Sequence, residues 1–563
     1  MAYKVGISSG WWNIAKDPNL LGLPLKAGSF GATTGVQFNQ VDMETITEFV
    51  EPDLKDRFRR IVDKLGIEVG LHGEIGNIVA LESAERRIWE QAHERLCIAL
   101  KWAAELKMIY INIHLSQNVI VQQEEQRIKP FGYQYQVVTP YGQAFWELAE
   151  RSKAVKDFIL RKLDAPRNRV APEIQSEEPF SKAYSAAQEN RNKKIKENID
   201  KWVKEFLESP EAQRMTHDQI ERQIARIQAQ VQQEAQREFT DMVSSGEFLY
   251  NAWKRSQFSQ YLVDSGEIDA YIAVGKYLLE KNDPLWMNIV GNMDPETAYN
   301  EKPLEFNAAI SAAYLEGHFK VKNHSNKDHL QGMNMVEWCE KHKIRLCMEM
   351  PHANQGQEGL MRFFHPLHSQ YLVRKIGSDY VKLCIDFEQS MAQNIDIDDM
   401  LKKMPGDFGK LIFLLHLGEP IPYFGTAHIP ITIGGQGQEI LYRWIFGLRK
   451  KGYKSGYVIF ERGGGRGGGR GTNYDVFEES VKAIRQMVKY LDQDTEPQLL
   501  PPEFFGIGFE NPDVWARQVV TMKEHAWDPL QDVFIIPEEK HFFLGSSAVQ
   551  KGKAQEWERR KFR

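Results

Sequence analysis

YVKLCIDF at 380–387 and LIFLLHL at 411–417 are short, almost continuously apolar runs, one carrying Asp386 near its end and the other His416. An apolar run of strand length with little alternation is the mark of a strand covered on both faces, as in parallel sheets. Working outward, IRLCMEM (from Ile344) precedes the pair and GYVIFE (from Gly456) follows it. Towards the N-terminus the same grammar appears in YKVGIS (from Tyr3), GVQFNQV (from Gly35), IEVGLHG (from Ile67) and MIYINIH (from Met108). Intervening segments such as ERRIWEQAHERLCIALKWAAEL (from Glu85) have apolar residues at helical spacing. Four strand runs and four more, each followed by a helical pattern, predict an α/β fold in which eight parallel strands close into a TIM (β/α)8 barrel.

The two halves of this pattern, 1–115 and 344–492, are separated by residues 116–343, too long a stretch for a structureless loop. Its middle reads as helix, with apolar residues at helical spacing in IKENIDKWVKEFL (from Ile195) and IERQIARIQAQVQQEAQREF (from Ile220). A mainly helical insertion between strands 4 and 5, with a helical hairpin as its form, is therefore expected. Residues 493–563, with many Pro and aromatic residues, read as a C-terminal extension packed on the barrel.

Composition narrows the function classes. The 71 Lys and Arg against 77 Asp and Glu leave a formal charge of −6, so there is no global attraction for polyanions and any nucleic-acid site must be local. No run has the length of a membrane span, and the opening MAYKVGISSG lacks the regions of a signal peptide, so a cytoplasmic protein is expected. Cys97, Cys339, Cys347 and Cys384 have no paired spacing and read as reduced, mostly buried thiols.

Six of the eight strand runs end on a potential metal ligand: His72, His114, Glu349, Asp386, His416 and Glu461. The C-terminal mouth of a TIM barrel is where active sites are built, and these six side chains would meet there. A single strand-ending His is more often a hydrogen-bonded core residue. Six buried imidazoles and carboxylates around one mouth are costly unless a cation is shared among them. Three of each suits zinc or manganese better than calcium or magnesium.

The segment HGEIGNIVALES (from His72) and the strand endings resemble the endonuclease IV branch of the xylose isomerase-like TIM barrel superfamily. The resemblance spans both barrel halves. It implies His72 and His114 on one metal, Asp386, His416 and Glu461 on a second, Glu349 bridging, and Asn77 at the substrate. Glu349, Asp386 and Glu461 would serve catalysis as well as coordination. His428, in HIPITIGGQGQE, resembles a further ligand of that family. The chain departs from the family's third metal trio, having Gln389 and Thr426 where a His and an Asp would stand, so two zinc ions, or manganese, are expected rather than three.

After Glu461 comes RGGGRGGGRG, in which Arg462, Arg466 and Arg470 are candidates to grip phosphate and the glycines to let backbone amides approach it. The bland reading is a flexible glycine loop. Smaller candidates are His352, Asn354, Gln355 and Glu388 as supporting or substrate groups, and Trp11 and Trp12 as stacking surfaces. His318, His324 and His329 carry no regular ligand spacing. These readings lead to a phosphodiester hydrolase acting on nucleic acid through two metals. The alternatives are a one-metal sugar isomerase or epimerase, for which Glu349, Asp386, His416 and Glu461 suffice, and a catalytically retired barrel that binds partners.

Overall fold

In the computed structural model of the chain, eight parallel strands pair in sequence order and close when the first meets the eighth. The structure describes residues 2–8, 25, 35–42, 51–73, 81–115, 137–163, 178–243, 245, 247–248, 251, 267–350, 365–392, 394–420, 430–461 and 476–506. The strands are β1 (Tyr3–Ser8), β2 (Phe38–Asp42), β3 (Glu68–His72), β4 (Tyr110–His114), β5 (Arg345–Glu349), β6 (Val381–Asp386), β7 (Ile412–Leu417) and β8 (Gly456–Phe460). The longer helices are α1 (Pro52–Leu65), α2 (Arg86–Glu105), α3 (Lys153–Leu163), α4 (Glu178–Leu207), α5 (His217–Val243), α6 (Glu267–Glu280), α7 (Pro303–Lys320), α8 (Met335–His342), α9 (Pro366–Ile376), α10 (Ile397–Lys403), α11 (Gln436–Lys450) and α12 (Val476–Asp492). The fold is thus the predicted TIM barrel, with α3 to α8 between β4 and β5. Among the described residues no helix is long and apolar enough to cross a membrane.

Because side chains alternate along a strand, every second residue faces the barrel axis and the inward positions form layers. The middle layer is a plug of rings. Phe38, Tyr110, Phe413 and Tyr457 meet one another at centroid distances of 4.6 to 6.4 Å, mostly edge to face. Two glycines make room for them: a Cβ on Gly6 would lie 2.5 Å from the Phe38 ring and one on Gly70 only 2.1 Å from the Tyr110 ring. Below the plug, Lys4 Nζ meets Glu68 Oε1 at 2.5 Å and Tyr457 donates to Glu68 Oε2 at 2.7 Å, which pairs the charge at the closed end. The mouth above the plug is where inward positions become polar.

The insertion has its own apolar core, built from residues such as Tyr271, Trp286, Phe306 and Tyr314, and it seats on the barrel through α7. Gly317 on α7 has no side chain because the Pro140 carbonyl occupies the space, 1.7 Å from where a Cβ would be. Lys375 on α9 reaches Asp283 and, at 2.9 Å, Glu316 on α7. Burial alone would lower the Lys375 pKa, but the two carboxylates outweigh it and hold the ammonium charged.

A second seam joins α7 to α2. Trp89, His93 and His318 form a buried cluster with centroids 4.6 to 5.3 Å apart, and His93 Nε2 faces Asn326 Oδ1 at 3.3 Å. Burial pushes His93 down to about 4, against a weaker opposing effect of its Asn326 hydrogen bond. Burial and the neighbouring His93 push His318 well below its ordinary value. Both are therefore neutral when folded and protonate more readily when unfolded. Stability is full above the ordinary histidine value of 6.5 and falls as the pH drops from there towards 4, where protonation of the folded state ends the loss for His93. His93 alone is expected to account for about 3 kcal/mol over that window. Urea melts at pH 7.5 and pH 4.5 check this: a His93→Gln, His318→Gln variant should show a markedly flatter profile than the parent.

The four cysteines are free and buried. Asn77, His352, Asn354, Gln355, Thr426, His428, Arg462, Arg466, Arg470, Trp11 and Trp12 lie outside the described residues, as does the chain beyond residue 506.

Candidate metal centre

Strand register sets the height of each polar side chain. His114 pairs with Glu349 across β4 and β5, Asp386 with His416 across β6 and β7, and His72 with Asn112 across β3 and β4. Glu461 follows β8, its amide donating to the Leu417 carbonyl at 3.2 Å. All six strand-ending residues singled out from the sequence are thereby brought together at one end of the barrel. Their donor atoms form two groups that share one member: His72, His114 and Glu349 in the first, and Glu349, Asp386, His416 and Glu461 in the second.

In the first group His72 Nε2 and His114 Nε2 face each other at 3.1 Å, and they lie 3.8 and 3.4 Å from Glu349 Oε2. A tetrahedral ion with bonds of about 2.1 Å has donors about 3.4 Å apart, so these three separations match edges of such a shell. His72 Nδ1 lies 3.0 Å from the Gly73 carbonyl. Donation of a proton there leaves the Nε2 lone pair directed at the group, the tautomer a ligand needs.

In the second group His416 Nδ1 lies 2.6 Å from Glu461 Oε2 and 3.3 Å from Glu349 Oε1. Neither His416 Nδ1 nor Glu349 Oε1 has a properly oriented hydrogen bond, although both are buried. Buried polar atoms that converge without satisfying one another fit a shared cation. Glu349 accordingly directs one oxygen at each group.

Electrostatics follow from this crowding. Burial would raise the Glu349 carboxyl, but the imidazoles of His114, His416 and His72 outweigh it and hold it well below the usual carboxylate range. Asp386 goes the other way, pushed well up by burial and by the negative charge of Glu349, Glu461 and Glu388. Burial brings His114 down to about 4, keeping its ring neutral. Burial also disfavours a charged His416, but Cys384, Glu461 and Glu349 outweigh it and raise its pKa. A divalent cation would stabilise the acids in their ionised form and draw the imidazole lone pairs, so the donor set fits such an ion.

Two residues that the sequence reading passed over hold this arrangement in place. Asn112, on β4, donates from Nδ2 to Glu349 Oε2. Gln40, on β2, accepts at Oε1 from the Tyr110 hydroxyl at 2.8 Å and faces His416 Nε2 at 3.3 Å. A proton on His416 Nε2, given to Gln40, leaves Nδ1 free for the carboxylate-rich group. Strand alternation could have signalled Gln40, two residues beyond the inward Phe38. Gln40→Leu is expected to weaken divalent-ion affinity by roughly 10- to 100-fold, whereas Gln40→Glu, which keeps an acceptor, should retain most of it. Calorimetric metal titration of both variants checks this. Gln389, which stands where the resemblance would put a third metal's ligand, is buried, and its backbone N–H donates to Asp386 Oδ1 at 3.0 Å. Glu388 is buried beside Asp386 but belongs to neither donor group.

No family model matches the chain, and no curated protein matches it either. Solved structures do. One is a D-psicose 3-epimerase in the presence of D-fructose, at 10% identity over 87% of this chain and 99% of that one, with a TM-score of 0.38. Another is an L-ribulose 3-epimerase, at 9% identity, 87% and 95% coverage and a TM-score of 0.37. A third is a xylose isomerase domain protein from Alicyclobacillus acidocaldarius subsp. acidocaldarius, at 9% identity, 87% and 99% coverage and a TM-score of 0.33. Likeness of this degree assigns neither a reaction nor a ligand to the present chain.

Proposed function

We propose that this chain is a divalent-metal-dependent enzyme that isomerises or epimerises a sugar-like hydroxycarbonyl substrate at the barrel mouth. The observation that carries the reading is the four-donor group of Glu349, Asp386, His416 and Glu461, contributed by the last four strands. Three carboxylates and one imidazole favour a hard ion such as manganese over zinc, and zinc fits best at the histidine pair. The ion would supply polarisation of a carbonyl oxygen and acidify the neighbouring C–H bond. Glu461 keeps 15% side-chain exposure while Glu349 has none, so Glu461 is the carboxylate placed to exchange a proton with a substrate arriving from the mouth. Glu349, fixed by Asn112, holds the floor of the group in place.

A second reading, phosphodiester hydrolysis by two metals, is favoured by the division of the two Glu349 oxygens between the donor groups. One comparison separates them. The manganese-loaded chain is incubated with a panel of ketoses and aldoses in deuterium oxide, and in parallel with bis(p-nitrophenyl) phosphate, as parent and as His72→Ala. Deuterium entering the sugar at carbon next to the carbonyl, with at most a severalfold effect of His72→Ala, supports the isomerase. Phosphodiester cleavage abolished by His72→Ala supports the hydrolase instead. Full metal occupancy with neither activity overturns both and leaves a barrel that binds without turnover.

A further inference from the structure

Cys384 takes part in neither metal group described above, yet it faces the same axis. It precedes Asp386 by two positions on β6, so both side chains point into the barrel. Its buried thiol belongs to the layer beneath the carboxylates, clustered with Tyr110, Cys347 and Ile459. The wall is irregular at this level. Leu383 pairs with Ile412 but Cys384 with Leu414, so β7 carries an extra residue beside the thiol. Irregularities of this kind re-aim side chains next to active sites.

Glu349, Cys384 and His416 form a donor group of their own, all three buried, with one ligand atom of each within 4.8 Å of the others. A thiolate and an imidazole that hold an ion at about 2.3 and 2.1 Å stand about 3.6 Å apart, so binding would draw these atoms together by no more than roughly 1.2 Å. The sulfur changes the class of ion. Thiolates select soft cations, whereas carboxylates suit hard ones. Cys347 lies in the same layer on β5, but its Sγ is turned 4.0 Å from the Arg345 carbonyl and enters no donor group among the described residues. Position, and not the mere presence of a buried thiol, therefore sets Cys384 apart.

We propose that Glu349, Cys384 and His416 form a separate position for a thiophilic dication, such as cadmium or zinc in excess, one layer below the carboxylate-rich group. On binding, a sulfur–metal bond replaces the S–H bond and the proton leaves to water. Glu349 and His416 also serve the carboxylate-rich group, so a soft ion below takes two of its four donors and displaces the hard ion above. Soft cations thus inhibit the chain from a second seat, without replacing manganese in its own. The displacement rests on the proposed manganese-dependent enzyme; the thiolate position does not.

Cadmium chloride titrated into the metal-free full chain tests the inference, followed by the ultraviolet charge-transfer band of a cadmium thiolate, which cadmium at the histidine pair does not produce. Far-UV circular dichroism confirms that each variant is folded. The parent should develop the band of one thiolate per chain, and Cys347→Ala should match it. Cys384→Ala and Cys384→Ser should both lack the band, and Glu349→Gln should need at least tenfold more cadmium. In the manganese-loaded parent, one manganese should be released per thiolate formed, read by its electron paramagnetic resonance. A band absent from the parent, surviving in both Cys384 variants or indifferent to Glu349→Gln would overturn the position, and manganese retained in full while the band grows would overturn the displacement. A parent that takes up no manganese, but shows the band with both dependences, overturns the manganese-dependent enzyme and leaves the thiolate position standing.

Discussion

Replacing Glu349 by alanine is expected to strip the chain of bound divalent ion altogether and to lower turnover at least about a thousandfold, equivalent to about 4 kcal/mol of barrier. Glu349 is the residue common to the donor groups that the mouth assembles, with one oxygen towards His72 and His114 and the other towards His416. Its loss leaves two imidazoles on one side, and Asp386, His416 and Glu461 without their central charge on the other. The matched comparisons are His72→Ala, which should empty the histidine group and spare the carboxylate group, and Asp386→Asn, which should do the reverse. Elemental analysis of protein purified without a tag checks all three. The expected pattern is none, the carboxylate-group ion alone, and the histidine-group ion alone. Retention of half the parent's metal by Glu349→Ala would mean that the two groups do not share this carboxylate.

The barrel was legible because its strands are buried on both faces, which forces a nearly unbroken apolar run wherever a strand occurs and so makes YVKLCIDF or LIFLLHL unmistakable. The strand-ending ionisable residues were legible for the complementary reason: six departures from that pattern fall at the same end of each run. Gln40 and Asn112 were less so, because alternation tells which residues share one side of a strand, but only closure of the barrel decides which side faces the axis. The attachment of the insertion was equally hidden. Lys375 finds Asp283 and Glu316 across long sequence separations, and no local pattern marks such a partnership. The helical character of 195–239 could be read from spacing.

Gly70→Ala is expected to destabilise the fold by about 3 kcal/mol, at the upper end for forced overpacking of a core. The added Cβ would lie 2.1 Å from one Tyr110 ring carbon and 2.2 Å from another, and the ring cannot retreat because Phe38, Phe413 and Tyr457 surround it. The damage should not stop at packing. Tyr110 donates to Gln40, which faces His416, so a displaced ring loosens the orientation of a residue in the carboxylate-rich group. Tyr110→Ala separates the two effects. Alone it leaves a cavity and should cost about 3 to 5 kcal/mol, but combined with Gly70→Ala it removes the clash, so the double variant should lose clearly less than the sum of the singles. Metal affinity should stay low in that double variant, because the hydroxyl that holds Gln40 is gone whether or not the core has relaxed. Denaturant melts and metal titrations of the four proteins give both readouts. Recovery of stability without recovery of affinity is the result that ties the ring plug to the mouth, whereas joint recovery would leave Tyr110 a packing residue only.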